Sequence, residues 1–537
     1  MQPLTSVGTR FGAIALTLAL AFTVTSPAQD GATDVETVDG VWSVLSTDTA
    51  IIQESSTAVT GSSWSSENGD FSPRESTGSW YQLQRNTMGT QQFWKNGYWG
   101  QGIGVAVIDT GALPVEGLSN AGTVVNGLDI SFDSQNPDVL HLDGYGHGVH
   151  MAGLIAGSTG DKTPKGTTHR SFIGTAPSAQ VISVKTGSAE GAVDVSQIIA
   201  AIDWVVQHKD DPGLNIRVLN LSFGFDSVQD AAIDPLSHAV ENAWRAGIVV
   251  VAAAGNDGNA APLRMPARNP YVIAVGAYDQ DYGPGSGAVS SFSNCGTASR
   301  SVDLVAPGRS IVGLRAPGSY LDEMYPNARA GMDYFKGTGT SQAAALVSGS
   351  AALILSQRPD LTPDDVKNVL MDSAHPVAGS AICAGAGALD LWSAYETPAN
   401  GTVQAGVRSS GDGSLDLARG SRRLALNGEP LVGEQDIFGN PFDADEWALL
   451  SAEETSWDGG DWMGEPWSGT SWSGLSWSGL SWSGLSWSGL SWSGLSWSGL
   501  SWSGLSWSGL SWSGLSWSSG SWSGLSWSGL SWSSLAS

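Results

Sequence analysis

The sequence predicts an α/β domain, a parallel sheet with helices on both faces, followed by a low-complexity tryptophan-rich repeat tail. Three observations carry this. Short β-branched runs without alternating polarity, at 103–108, 181–184, 218–221, 248–251 and 272–275, read as strands buried on both faces. Helical patterns at His147–Ala156, Val195–Gln207 and 235–246 fall between those runs, and strand alternating with helix is the signature of a parallel sheet covered on both sides. Past residue 456 the texture changes altogether, with tryptophan recurring every five residues from Trp457 to Trp532.

Open parallel sheets place functional residues at the carboxyl ends of strands. Asp109 ends the run Val105-Ala106-Val107-Ile108, and Asn256 follows Ala252-Ala253-Ala254-Gly255 beyond the fourth run. Two further motifs stand out. His147 lies in Asp143-Gly144-Tyr145-Gly146-His147-Gly148-Val149-His150, and Ser341 lies in Gly337-Thr338-Gly339-Thr340-Ser341 at the head of an apolar helix. That helix, with Ala343, Ala344, Ala345, Val347, Ala351, Ala352, Leu353 and Leu355, is apolar nearly all round and must be buried. A serine hydroxyl is a weak nucleophile at neutral pH and needs a histidine to take its proton and an acid to orient that histidine. The order Asp109, His147, Ser341 is one of three unrelated orders in which such a triad occurs. His150, on the same helix as His147, reads as a core histidine outside the chemistry.

On these four motifs, in this order and context, residues 80–396 resemble the subtilisin-like serine peptidases, the subtilase family. The resemblance implies a subtilisin-like parallel sheet and hydrolysis of peptide bonds by Ser341, His147 and Asp109, with Asn256 in the oxyanion hole. It further implies that Ser222-Phe223-Gly224 and Ala253-Ala254-Gly255 bind an extended peptide or protein substrate, with a preference for hydrophobic side chains. Two positions depart from the family pattern. Val149 stands where threonine is usual and Ala345 where proline is usual, and neither handles catalytic protons. The resemblance requires no cofactor; it admits structural calcium, for which no loop pattern is legible.

Taken in chain order, residues 1–28 read as a secretory signal: Arg10, an apolar core from Gly12 to Val24, and the small-residue site Ser26-Pro27-Ala28. The core is too short for an ordinary membrane span. Residues 29–75 are rich in Ser, Thr, Gly and Asp and read as a loosely structured segment; the resemblance implies, by their position, a propeptide, although the alternating strands and two helices of the usual inhibitory prodomain are missing. Residues 76–396 form the peptidase domain, in which a second late helix starts at Thr362-Pro363, an N-cap followed by proline at the first helical position. Export permits one disulfide between Cys295 and Cys383, and spacing alone leaves the pairing open. Neither cysteine sits in a metal-ligand spacing, and no H-E-x-x-H occurs, so no metal site is read.

Residues 397–455 read as a linker or small ancillary module, and 456–537 as the repeat tail, which settles into Ser-Trp-Ser-Gly-Leu. On a helix a step of five residues turns about 140°, scattering the tryptophans, and glycine and serine oppose helix anyway. A turn at each Ser-Gly would stack the repeats as a solenoid; the alternative is disordered chain. A covered tryptophan buries roughly 150–250 Å², so such a row is expected to contact itself, a cell surface or a polysaccharide. With 51 acidic against 24 basic residues, a net charge of −27, nucleic acid and anionic membrane surfaces are poor partners. A secreted or surface-associated serine endopeptidase is therefore the expected function. An inactive scaffold working through its repeats is the competing class, and an esterase of the α/β-hydrolase type is set aside because its G-x-S-x-G elbow is absent.

Overall fold

The computed structural model describes residues 71–160, 170–281, 287–421, 423–426 and 429–467, and short strands between 482 and 532. The expected signal and most of the expected propeptide lie outside the described residues. At the centre is an eight-stranded sheet. Its strands are β1 (Gly104–Asp109), β2 (Val124–Asp129), β3 (Gln180–Lys185), β4 (Ile216–Leu221), β5 (Val249–Ala253), β6 (Ile273–Gln280), β7 (Gly287–Val289) and β8 (Leu304–Pro307). The spatial order is β2-β3-β1-β4-β5-β6-β7, with β8 also paired to β6. All of these pairings are parallel except that of β7 with β6.

Each of the five expected runs became a strand, because a strand covered on both faces must be apolar at every position. β1 and β5 are buried along their whole length. The runs did not reveal β2, whose residues 124–127 are only partly covered, as befits an edge strand. The chain leaves β3 on one side of β1 and returns as β4 on the other, so the strand order reverses across β1. That reversal opens a crevice at the carboxyl end of β1, where Asp109 sits.

The helices are α1 (His147–Ala156), α2 (Val195–Gln207), α3 (Pro235–Arg245), α4 (Thr340–Gln357) and α5 (Pro363–Ser373). α1 packs on α4 on one side of the sheet, and α2 packs on α3 on the other. Local chemistry sets their starts. Asp194 and Gln197 form a capping box on α2, Asp234 caps α3 ahead of Pro235, and Thr362 caps α5 ahead of Pro363. α4 is buried from Thr340 to Leu355, as an all-round apolar helix requires. Cys295 and Cys383 are joined in a disulfide, with their Cα atoms 4.3 Å apart.

The stretch read as linker or ancillary module is folded onto the outer side of α2 and α3. It contributes a short helix, Leu415–Ala418, a longer one, α6 (Ala444–Ala452), and a three-stranded antiparallel turn formed by Trp457–Asp458, Asp461–Trp462 and Glu465–Pro466. The tryptophan period begins inside this layer: Trp457, Trp462 and Trp467 are all buried. Further on, short strands pair in parallel four pentapeptides apart, Trp482 opposite Trp502 and Trp502 opposite Trp522. Among the described residues no helix is long and apolar enough to cross a membrane.

Candidate active site

Three elements carry the predicted residues. Asp109 is the last residue of β1, His147 the first of α1, and Ser341 the second of α4. α1 can begin abruptly at His147 because Gly146 has φ 103°, a left-handed conformation that costs glycine little. A side chain there would also strike the Ser319 hydroxyl, 2.4 Å from the position of its Cβ.

The carboxylate of Asp109 lies against one edge of the imidazole, with His147 Nδ1 2.8 Å from Oδ1 and 2.9 Å from Oδ2. Both side chains are buried. Asp109 is itself held: Thr110 N–H donates to its Oδ1 at 2.8 Å, and Thr186 N–H donates to its backbone carbonyl at 2.9 Å. Burial alone would depress the pKa of His147, but the Asp109 charge and hydrogen bond, with the charge of Asp143, outweigh it and leave the pKa above the ordinary histidine value. Nε2, the other ring nitrogen, has no hydrogen-bond partner among the described residues.

Ser341 Oγ donates to the Ser222 carbonyl at 2.9 Å, and Ser222 Oγ donates back to the Ser341 carbonyl at 3.1 Å. Asn220 Nδ2 steadies the Ser222 hydroxyl at 2.9 Å, and Ser348 donates to Asn220 Oδ1 at 2.9 Å, so β4 and α4 are laced together beside the serine. Asn256 Oδ1 accepts from Thr340 N–H at 2.9 Å and from Thr340 Oγ1 at 3.2 Å. Its carbonyl end thus faces Thr340, and its NH2 end, a donor, is turned the other way. The turn carrying Asn256 needs Gly255, which has φ 111° and packs against Asn294.

An open cleft of about 500 Å³ runs along Asp109 and His147 and is lined further by Tyr145, Gly187, Gly191, Val193, Ile198, Ser222 and Phe223. Of the residues expected to bind substrate, Ser222 and Phe223 line this cleft. Gly224, Ala253, Ala254 and Gly255 do not: Gly224 backs onto Arg264, and Ala253 and Ala254 are buried at the end of β5. His150 is also buried, and burial first, then the charge of His147, pushes its pKa down to about 3. It lies against Gly313 and Gly337, consistent with a core residue.

Two supports escaped the sequence reading. Asp143, four residues before His147, accepts from Gly146 N–H at 2.6 Å, Val149 N–H at 2.7 Å and Thr110 Oγ1 at 2.8 Å, capping α1 through its first turn. Thr110 Oγ1 in turn accepts from Gly148 N–H at 2.9 Å. Thr340 is the other, and both sit inside the quoted motifs, where position relative to a helix start was the available signal. Among the described residues no group of three or more His, Cys, Asp and Glu side chains is arranged to hold a metal ion.

With this geometry in view, a model of the subtilase family of peptidases matches residues 100–412. The chain belongs to the subtilase family. Serine protease AprX of Bacillus subtilis is 38% identical over 280 residues, covering 50% of this chain and 61% of that protein. The minor extracellular protease Epr of the same organism is 32% identical over 271 residues, 34% of its length, so the chain spans less than two thirds of both relatives. Subtilisin of Bacillus pumilus is 32% identical over 310 residues, 98% of its length. Among solved structures, a cold-adapted subtilisin-like serine proteinase is 31% identical, with 55% of this chain and 90% of that one covered at a TM-score of 0.42. This subtilase carries the family domain and, overlapping its end and continuing past residue 412, a folded layer and the repeats.

Proposed function

We propose that the protein is a secreted serine endopeptidase that cleaves peptide bonds in proteins or peptides through an acyl-enzyme on Ser341. The observation that carries this reading is the Asp109–His147 clamp, with Nδ1 2.8 Å from the carboxylate and Nε2 left for a proton from the serine. Ser341 Oγ turns from the Ser222 carbonyl to His147 Nε2, gives up its proton there and attacks the peptide carbonyl. Catalytic hydrogen bonds of this kind commonly tighten only once substrate is bound. The oxyanion that forms is stabilised by the Asn256 amide and a backbone N–H at the start of α4, where the helix dipole is also favourable. His147 then passes its proton to the leaving amine, and water, activated in the same way, hydrolyses the ester and restores the serine. Asp109 holds the tautomer and stabilises the imidazolium.

Substrate runs along the cleft beside Phe223, Val193 and Ile198, whose apolar character supports a hydrophobic preference. The leader-like residues 1–28 support export, and the repeats are proposed to contact the cell surface, a polysaccharide or themselves. The test is fluorophosphonate labelling of the secreted protein beside Ser341→Ala, followed by intact-mass analysis. Labelling lost in the variant is the expected result, and the mass reports which flanking segments survive. An unlabelled, folded wild-type chain would overturn the proposal.

A further inference from the structure

The layer at 398–467 lies on the far side of the domain from α1 and α4, yet one of its side chains reaches the residue that caps α2, behind the cleft wall. Arg419 is completely buried. Its Nε donates to Asp194 Oδ2 at 2.7 Å and its Nη2 to Asp194 Oδ1 at 3.3 Å, while Nη1 and Nη2 donate to the backbone carbonyls of Gly433 and Gln435 in its own layer. The fork therefore rivets the C-terminal layer to one residue of the peptidase domain.

That residue is placed to matter. Asp194 caps α2, accepting from Ser196 N–H at 3.0 Å, and its own N–H donates to Gln197 Oε1 at 2.8 Å. Gln197 Nε2 donates to the carbonyls of Ile130, at 2.7 Å, and Thr186, at 3.4 Å, and Thr186 N–H holds the carbonyl of Asp109. Around Asp194 in sequence, Gly191, Val193 and Ile198 form one wall of the cleft. Neither Arg419 nor Asp194 lines the cleft itself.

We propose that Arg419 is a positioning residue that sets the α2 wall of the substrate cleft from behind, so that the C-terminal layer is a working part of the peptidase. The proposal rests on the endopeptidase reading above. A buried ion pair adds little net stability, because desolvation offsets the attraction, so what it contributes is a defined place for Asp194. The layer has enough other anchors to stay docked without it. Asp203 on α2 accepts from Trp447 Nε1 at 2.9 Å, Trp462 Nε1 at 3.0 Å and Ser451 Oγ at 2.7 Å. Trp457 Nε1 donates to the Ala200 carbonyl at 2.8 Å, and the His238 ring on α3 lies 2.8 Å from the Ser409 carbonyl.

The test uses the full chain with Asp194→Asn and Arg419→Met combined. Both charges leave together, and asparagine keeps the helix cap. Active sites are titrated with fluorophosphonate, the fold is checked by circular dichroism, and kcat and KM are measured on an acetylated single-residue ester and on a tetrapeptide anilide. The tetrapeptide extends three residues further from the scissile bond than the ester. The expected result is full titration, ester kcat/KM within about twofold, and a tetrapeptide kcat/KM lower by roughly tenfold, mostly through KM. Arg419→Lys, which keeps a positive charge beside Asp194 but not the fork, is expected to recover only part of the tetrapeptide KM. Equal losses on both substrates would show a merely structural role and overturn the proposal, as would a folded, fully titrated variant with no loss on the tetrapeptide. If the unmodified chain is not labelled, the endopeptidase reading itself fails, and this proposal with it.

Discussion

Replacing Thr340 by valine tests whether Asn256 works as a fixed donor. Thr340 is fully buried, and its hydroxyl lies 3.2 Å from Asn256 Oδ1 and 3.2 Å from the Gly255 N–H. Valine keeps the volume and the backbone N–H bond to Asn256 at 2.9 Å but removes the hydroxyl. Gly255 N–H is then left buried without this acceptor, which costs about 1–3 kcal/mol of stability. In catalysis Asn256 loses one of its two ties to Thr340. One neutral hydrogen bond is worth about 1 kcal/mol net, and 1.4 kcal/mol is tenfold in rate, so kcat is expected to fall by roughly fivefold to tenfold with KM little changed. The assay is steady-state hydrolysis normalised to titrated active sites, run as a double-mutant cycle with Asn256→Ala. Removal of an oxyanion amide in a subtilisin costs roughly 10²–10³ in kcat, and that magnitude is carried over here from a relative. If Thr340 acts through Asn256, its substitution has little further effect on kcat once the amide is gone. The same loss in both backgrounds would refute the reasoning.

Other perturbations reach different parts of the site. Asp143→Asn removes a charge that helps hold the pKa of His147 up, so the acid limb of the kcat/KM profile should move to lower pH; a limb that stays put or moves up would count against that charge effect. The same change leaves one helix-start N–H facing an amide instead of a carboxylate and is expected to cost about 1–3 kcal/mol in denaturant titrations. His150 is held neutral in the folded chain, with its pKa near 3 against the ordinary 6.5. The unfolded chain therefore binds the extra proton between those values, so this contribution to stability is complete above about pH 6.5 and falls by up to about 5 kcal/mol as pH drops towards 3. His150→Gln should flatten that part of the stability profile, and an unchanged slope would exclude His150 as its source. The disulfide closes a separation of 88 residues, so Cys295→Ser with Cys383→Ser is expected to lower unfolding free energy by at most about 4.6 kcal/mol, measured under non-reducing conditions.

The sequence determined what is local and what is ordered along the chain. Runs such as Val105 to Ile108 have to be strands covered on both faces because they offer no polar face to water. Thr362-Pro363 has to begin a helix because a hydroxyl cap and a fixed φ act within one turn. The order of Asp109, His147, Asn256 and Ser341 was legible for the same reason, each residue standing beside glycines or apolar runs that mark a strand end or a helix start. Only the tertiary structure decided which distant groups meet. The Asp109–His147 clamp, the mutual bonds of Ser222 and Ser341, the Cys295–Cys383 pair and the Arg419–Asp194 rivet join residues 38, 119, 88 and 225 positions apart. The tryptophan period likewise suggested a uniform tail, yet Trp457, Trp462 and Trp467 are buried in the folded layer, Trp457 bonded to the Ala200 carbonyl and Trp462 to Asp203 on α2, and Trp467 packed on Phe438 and Trp462. Periodicity reports what a side chain needs over a few residues. Which partner meets that need depends on the path of the whole chain, which brings α2 and α3 together and leaves their outer faces to be covered by residues 398–467.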